Sequence, residues 1–220
     1  MKQQRLRYHH GDLATALLVE AVAQVRERGV DQVSLRGLAY QVGVSASAAY
    51  QHFPDKAALL DAVCGWGFDE LARRMRGAMA TVTADGDDGA VSRFVAMGRA
   101  YVSFALTEPH LFRHMFGTQV KQEPPAADGA GFELQDDTAF ALLLAGLAEL
   151  AQRDLLRPGV GEGAALDILT WSLVHGFSAL VVEQHLPVEA GEQVLRLYGR
   201  LVLRDEVWGL LGPVDVTAPT

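Results

Sequence analysis

Apolar residues recur at helical spacing along the first eighty positions. In residues 12–28, Ala14, Leu17, Leu18, Ala21, Val22 and Val25 follow the i, i+3, i+4, i+7 rhythm of an amphipathic helix, and Gly29 is placed to end it. Ser34 stands where it would cap a short helix over 35–42, Ser45 where it would cap another over 46–52, and Asp55, behind Pro54, opens a long one reaching about residue 80. The acidic, glycine-rich run TADGDDG at 83–89 reads as a loop, as does 121–131 with Pro124, Pro125, Gly129 and Gly131. Further helices are expected over 90–106, 109–116, 134–156, 162–184 and 189–211. No segment alternates with the period of a strand, so the pattern predicts an all-α chain of about nine helices with no sheet.

Two of these segments ask for a second buried face. Residues 163–183 are apolar nearly all the way round, which one core face does not explain. Val194, Leu197, Tyr198, Leu201 and Val202 make a stripe on the last helix. Together they fit a two-fold, four-helix interface in a homodimer, with burial inside the chain's own domain as the alternative. The longest apolar stretch, 166–182, is broken by Asp167, Thr170, Ser172, His175 and Ser178 and is short of the roughly 20 apolar residues of a membrane span, so no membrane association is expected. The single cysteine, Cys64, closes no internal disulfide, and residues 1–6 are basic and polar rather than a signal-peptide core. A cytoplasmic protein is the expectation.

The net charge of −8 argues against a nucleic-acid partner until it is divided by region. Residues 1–60 hold seven Lys and Arg against five Asp and Glu, a net of +2, with three histidines besides; the remaining 160 residues carry −10. That asymmetry confines any contact with phosphate to the N-terminal end.

The run LRGLAYQVGVSASAAYQHF at 35–53 has the parts of a helix-turn-helix. Ala39 is small where two helices would cross, and Gly43 falls in the tight turn, where a positive φ is cheap for glycine alone. Leu38, Val42 and Val44 supply the apolar contacts that fix the angle. The second helix carries Ser47, Tyr50, Gln51 and His52 as its polar reach into a major groove, where Ser47 and Gln51 would meet base edges and Tyr50 the backbone. Lys56, Ser34 and Arg36 would hold phosphates on either side, and Arg5, Arg7 and Tyr8 form a basic arm. A tight helical corner with no DNA role shares these features.

The runs YHHGDL at 8–13, VSLRGLA at 33–39 and GVSASAAYQHFPDKAALLDAV at 43–63 together resemble the DNA-binding domain of the tetracycline-repressor (TetR) family. The resemblance implies that Ser45, Ser47, Tyr50, His52 and Lys56 fall on DNA-contacting positions. Ala49 stands where that family often carries proline, a departure that bears on base preference rather than docking. TWSLVHGF at 170–177, with Trp171, His175 and Gly176, and YVSFALTEPHLFRHMF at 101–116 resemble the family's WHG-type ligand domain. The implied organisation is a DNA-binding domain over 1–56, a helical ligand-binding and dimerisation domain over 57–212, and a tail over 213–220. The implied function is a repressor of a palindromic operator, released by a small-molecule effector.

A cavity for such an effector is suggested by the aromatics and methionines of the middle helices: Phe94, Met97, Tyr101, Phe104, Phe112, Met115, Phe116, Trp171 and Phe177. Tyr101, Phe104, Phe112, Phe116 and Trp171 are the expected ligand contacts, with His175 as the polar group and a largely apolar effector. His110 and His114 stand at i and i+4 without a third ligand of suitable spacing, and His9 and His10 fit the basic arm better than a metal site. No cofactor or metal is expected. Sequence motifs of hydrolases, metalloproteases and phosphate-binding loops are absent. A small-molecule enzyme that kept the scaffold without binding DNA is the competing reading, and a DNA binder with no effector is another.

Overall fold

The computed structural model describes residues 13–117, 138–160 and 165–208. Within them run α1 (Leu13–Arg28), a 3-10 turn (Val30–Gln32), α2 (Leu35–Val42), α3 (Ala46–His52), α4 (Lys56–Ala80), α5 (Gly86–Thr107), α6 (Pro109–Phe116), α7 (Ala139–Gln152), α8 (Leu166–Val182), α9 (Ala190–Val202) and α10 (Asp205–Trp208). The basic arm (Arg5, Arg7 and Tyr8, with His9 and His10), the loop at 121–131 and the tail at 213–220 lie outside the described residues.

The structure has ten helices among its described residues where about nine were expected, because the last segment is split. Leu203 forms an isolated antiparallel bridge with Leu156. The Arg157 amide donates to the Val202 carbonyl (2.8 Å) and the Arg204 amide to that of Leu155 (3.0 Å). Backbone groups bonded across the chain no longer serve a helix, and α9 therefore stops before the short α10. Arg157–Asp205 and Arg204–Asp154 ion pairs flank the bridge. At the other departure, α5 begins inside TADGDDG. Asp87 and Asp88 lie in its first turn, where carboxylates favour a helix N-terminus. The absent Cβ of Gly89 leaves room for the Ala84 carbonyl, whose oxygen it would meet at 2.1 Å.

The chain divides into two units, Met1–Gly67 with His110–Gln122, and Phe68–Pro109 with Glu123–Thr220. The division falls inside α4, later than the expected boundary after residue 56, and assigns α6 to the first unit. That unit packs α1, α2 and α3 around Leu17, Val25 and Leu38, with Leu59 and Val63 of α4 also buried. The apolar side of α6 (Leu111, Phe112, Met115) is buried too. Gly67 is where α6 comes closest to α4, since a Cβ there would lie 2.6 Å from Met115 Sδ. His114 Nε2 donates to the Leu60 carbonyl (2.8 Å), which gives this histidine a structural role. Among the described residues no cluster of three His, Cys, Asp or Glu is arranged to hold a metal ion.

In the second unit α5 packs on α7 and α8 around Tyr101, Phe104, Val102 and Leu150. Glu70, Arg74 and Glu108 link α4 to the end of α5, with Arg74 bonded to Glu70 (2.8 Å), Glu108 (2.7 Å) and Thr107 Oγ1 (2.9 Å). Among the described residues no helix is long and apolar enough to cross a membrane.

Candidate functional site

The first unit places the predicted helix-turn-helix as its sequence requires. Gly43 has φ +82° and ψ 29°; its amide bonds the Tyr40 carbonyl (3.2 Å) and that of Val44 the Ala39 carbonyl (2.9 Å), the pairing of a left-handed helix end that a side chain would strain. Ala39 and Leu38 are buried at the crossing. Ser34 and Ser45 each accept from a backbone amide three residues on, Gly37 and Ala48 respectively, at 3.2 Å. A hydroxyl that accepts in a cap keeps its own proton, so both remain able to donate to a phosphate oxygen.

Ser47, Tyr50 and Gln51, at i, i+3 and i+4 on α3, are all exposed and share one face. His52 is exposed at the end of that helix, and Arg36 on α2. Lys56 is exposed as well, with Nζ donating to the Asp31 carbonyl (3.3 Å). An ammonium has three donors, and this bond uses one. Asp55 caps α4 by accepting from the Ala58 amide (2.8 Å). Ala49 is fully buried, so the residue expected to bear on base preference faces the unit's interior and reaches no base. The sequence reading passed over Tyr40, which is 86% exposed and lies one turn beyond Arg36. The signal was present: Leu35, Leu38 and Ala39 form the buried stripe of α2, and an aromatic off that stripe has no core to enter.

The second unit contains a cavity of about 80 Å³. Phe94, Met97, Gly98 and Tyr101 of α5 line it together with Met75, Leu143, Trp171, Val174, Leu195 and Leu203, and Thr170, Tyr198 and Gly199 also reach it. Tyr101 meets Trp171 edge-on (centroids 5.4 Å, 75°), and Trp171 meets Phe140 likewise (5.4 Å, 81°). The Tyr101 hydroxyl and His175 Nδ1 are 2.9 Å apart. Burial pushes the phenol above its usual range and the imidazole below its own, so both are neutral near pH 7.

Of the expected ligand contacts, Tyr101 and Trp171 line the cavity. His175 is not among the lining residues and meets it only through Tyr101. Phe104 is buried in the core with the Arg74 guanidinium over its ring (5.3 Å). Phe112 and Phe116 belong to the first unit, where their rings pack against each other (5.0 Å). The apolar face of α6 is satisfied there. The stripe on α9 also splits. Tyr198 and Val202 turn inward, while Leu197 and Leu201 are each 60% exposed, as are Ile168, Leu169 and Leu180 of α8 to a lesser or similar degree. Met75, Thr170 and Tyr198 were not expected at the cavity, because an apolar or hydroxyl-bearing lining residue has the composition of ordinary core.

Residues 17–63 match the family profile "Bacterial regulatory proteins, tetR family", and residues 94–203 match "Tetracyclin repressor-like, C-terminal domain". A protein of unknown function from Rhodococcus sp. RHA1 has a similar structure, with 29% identity and a TM-score of 0.67 over 96% of this chain and 100% of that one. A TetR-family transcriptional regulator from Haemophilus influenzae RD shares the fold at 15% identity, with a TM-score of 0.58 over 88% and 98% of the two chains. The nucleoid occlusion factor SlmA of Photobacterium profundum is 29% identical over 102 residues, 46% of this chain and 50% of that protein; the chain spans about half the length of this curated relative. The matched families are regulatory and give the enzyme reading no support. The chain belongs to the tetracycline-repressor (TetR) family of bacterial regulatory proteins.

Proposed function

We propose that a homodimer of this chain represses transcription in the cytoplasm by holding a palindromic operator, and that a small, largely apolar effector entering the cavity releases it. The observation that carries the first half is the exposed face of Ser47, Tyr50 and Gln51 on a helix fixed by the Gly43 corner, flanked by Ser34, Arg36, Ser45, His52 and Lys56. Two such helices set about 34–36 Å apart, or a multiple of that, would read successive major grooves. The basic arm of Arg5, Arg7 and Tyr8 would add backbone contacts.

The homodimer is supported by Ile168, Leu169 and Leu180 on α8 and Leu197 and Leu201 on α9, a set of exposed large apolar side chains concentrated on two neighbouring segments. Gly176 of α8 adds to it, since a Cβ there would meet nothing within 4 Å and a second helix has room to approach. The effector response is supported by α4. This helix carries Lys56 at its start and the cavity residue Met75 about five turns later. A ligand that displaces Met75 biases the helix bearing Lys56, and couplings of this kind are typically worth about 1–3 kcal/mol.

The test is selection of the purified protein against a random DNA duplex pool at two salt concentrations, because phosphate contacts make affinity fall with salt. Enrichment of one palindrome is the expected result. No enrichment at the lower salt would overturn the DNA-binding reading.

A further inference from the structure

None of the side chains lining the cavity is charged, and only Tyr101, Thr170, Trp171 and Tyr198 bring polar atoms to it. An ion moved from water into such a space loses its hydration and finds no counter-charge, so the occupant is neutral and mostly apolar. Its chemical selectivity follows from where the hydroxyl protons go. Thr170 Oγ1 has one hydrogen and lies 2.6 Å from the Leu166 carbonyl oxygen, which only accepts. That hydrogen is committed one turn back along α8. The bond between Thr170 Oγ1 and the Tyr198 hydroxyl then runs one way, with Tyr198 donating. Burial holds the Tyr198 phenol above its usual pKa, so the group stays protonated. With its proton directed at Thr170, the Tyr198 oxygen has only acceptor capacity left. Tyr101 differs, because in its bond to His175 Nδ1 either partner can donate, according to the imidazole tautomer. That pair adapts to a donor or an acceptor and discriminates little.

We propose that Tyr198 determines the specificity of the cavity, and that the effector is a neutral single-ring compound whose hydroxyl or N–H is accepted by the Tyr198 oxygen. This inference rests on the effector reading of the cavity given above. Size agrees with a single ring: about 80 Å³ is less than the roughly 150 Å³ of an engineered apolar cavity that holds benzene. One ring already requires the walls to part, and a larger polycycle would require much more. A ligand offering only acceptors would set its oxygen against that of Tyr198 and leave both unpaired.

The probes are 4-chlorophenol, 4-chloroanisole and 4-chlorotoluene, which differ in the donor and little in shape. Each is titrated into the full chain, followed by tryptophan fluorescence and thermal midpoint. In the wild type 4-chlorophenol is expected to bind about tenfold or more tighter than the other two, the range expected when a buried polar group is left unpaired. Tyr198→Phe keeps the ring and should abolish that preference. Thr170→Val keeps the side-chain shape and returns the Tyr198 proton to the cavity, so the preference should shift toward 4-chloroanisole. If all three probes bind and neither the wild type nor the variants distinguish them, the role of Tyr198 is overturned while the effector cavity stands. If none binds to folded protein at millimolar concentration, the effector reading fails and this inference with it. Should Tyr198→Phe fail to fold, the wild-type ranking and Thr170→Val decide the matter.

Discussion

The first unit carries its candidate site on the outside of an ordinary helical core, whereas the second carries its own within the core. On α3 the functional side chains are those excluded from burial: Ala49 goes in, and Ser47, Tyr50 and Gln51 stay out. In the second unit Met97 and Leu143 are buried like any core residues, and only the space beside them marks a site. Polar residues at regular helical intervals announce a surface that meets another molecule. A cavity leaves no such mark, because the side chains that surround a void and those that fill one are the same.

Separation of the two sites is tested most severely by Tyr50→Ala combined with Lys56→Ala. Each removes one proposed DNA contact, and contacts of this kind are worth about 1–3 kcal/mol. A combined loss of about 2–6 kcal/mol lowers operator affinity from roughly thirtyfold to more than ten-thousandfold, read by fluorescence anisotropy on the selected palindrome. The affinity of the same variant for 4-chlorophenol should be unchanged. A parallel loss of cavity binding would break the comparison. Next in size is Leu197→Glu, which places a charge on the exposed apolar face of the second unit. An uncompensated carboxylate at a subunit interface costs several kcal/mol. Light scattering is expected to report monomer at micromolar concentration, with operator affinity reduced and the helical circular dichroism retained. A dimer that survives places the subunit contact elsewhere.

Legibility followed the same division. The apolar period of α1, the caps Ser34, Ser45 and Asp55 and the turn at Gly43 are local signals, and each stands in the structure where its neighbours in sequence put it. The fate of α6 was not local. Leu111, Phe112 and Met115 make an apolar face whichever body receives it, and only the tertiary structure assigns it to the first unit. Phe112 and Phe116 were expected at the cavity because an aromatic carries no record of which core it enters. Tyr198 was misplaced for a related reason. It shares a helix face at one-residue offset with Leu197, and the side of α9 that turns inward depends on α5 and α8 rather than on α9 itself. The break between Val202 and Asp205 came from a bridge to Leu156, a pairing distant in sequence.

Acid distinguishes the second unit through Glu70. The hydrogen bond from Arg73, helped by that from Arg74, outweighs burial and lowers its pKa from 4.5 to about 2. A carboxylate with a lowered folded pKa contributes stability that is complete above about pH 4.5 and is lost as the pH falls toward 2. With Arg73 exposed to solvent, and the contribution discounted for that, it amounts to about 2 kcal/mol. Thermal midpoints between pH 5 and pH 2.5 should therefore fall less steeply in Glu70→Gln than in the wild type, with the variant the less stable at pH 7. An unchanged slope would mean that the Glu70–Arg74–Glu108 link adds nothing to the stability of the second unit.

The finest test adds a single methyl group to each unit. Replacing a glycine inside a helix with alanine gains about 0.5–1 kcal/mol when nothing opposes the new Cβ. Gly98 of α5 lines the cavity, and a Cβ there meets nothing within 4 Å. Gly98→Ala is expected to raise the thermal midpoint by about 2–4 °C for a chain of this size, while weakening 4-chlorophenol by narrowing its space. Gly67 of α4, in the first unit, has no such room. Its Cβ would lie 2.6 Å from Met115 Sδ, 2.9 Å from Met115 Cγ and 3.3 Å from Leu111 Cδ1, and both neighbours are almost wholly buried. Overpacking costs typically 1–3 kcal/mol and exceeds the helical gain, so Gly67→Ala should lower the midpoint by a few degrees. Opposite signs from one methyl group would separate real empty space in the second unit from close packing in the first. A midpoint lowered by Gly98→Ala would mean that the second unit closes around that position, and that the cavity is not available to a ligand.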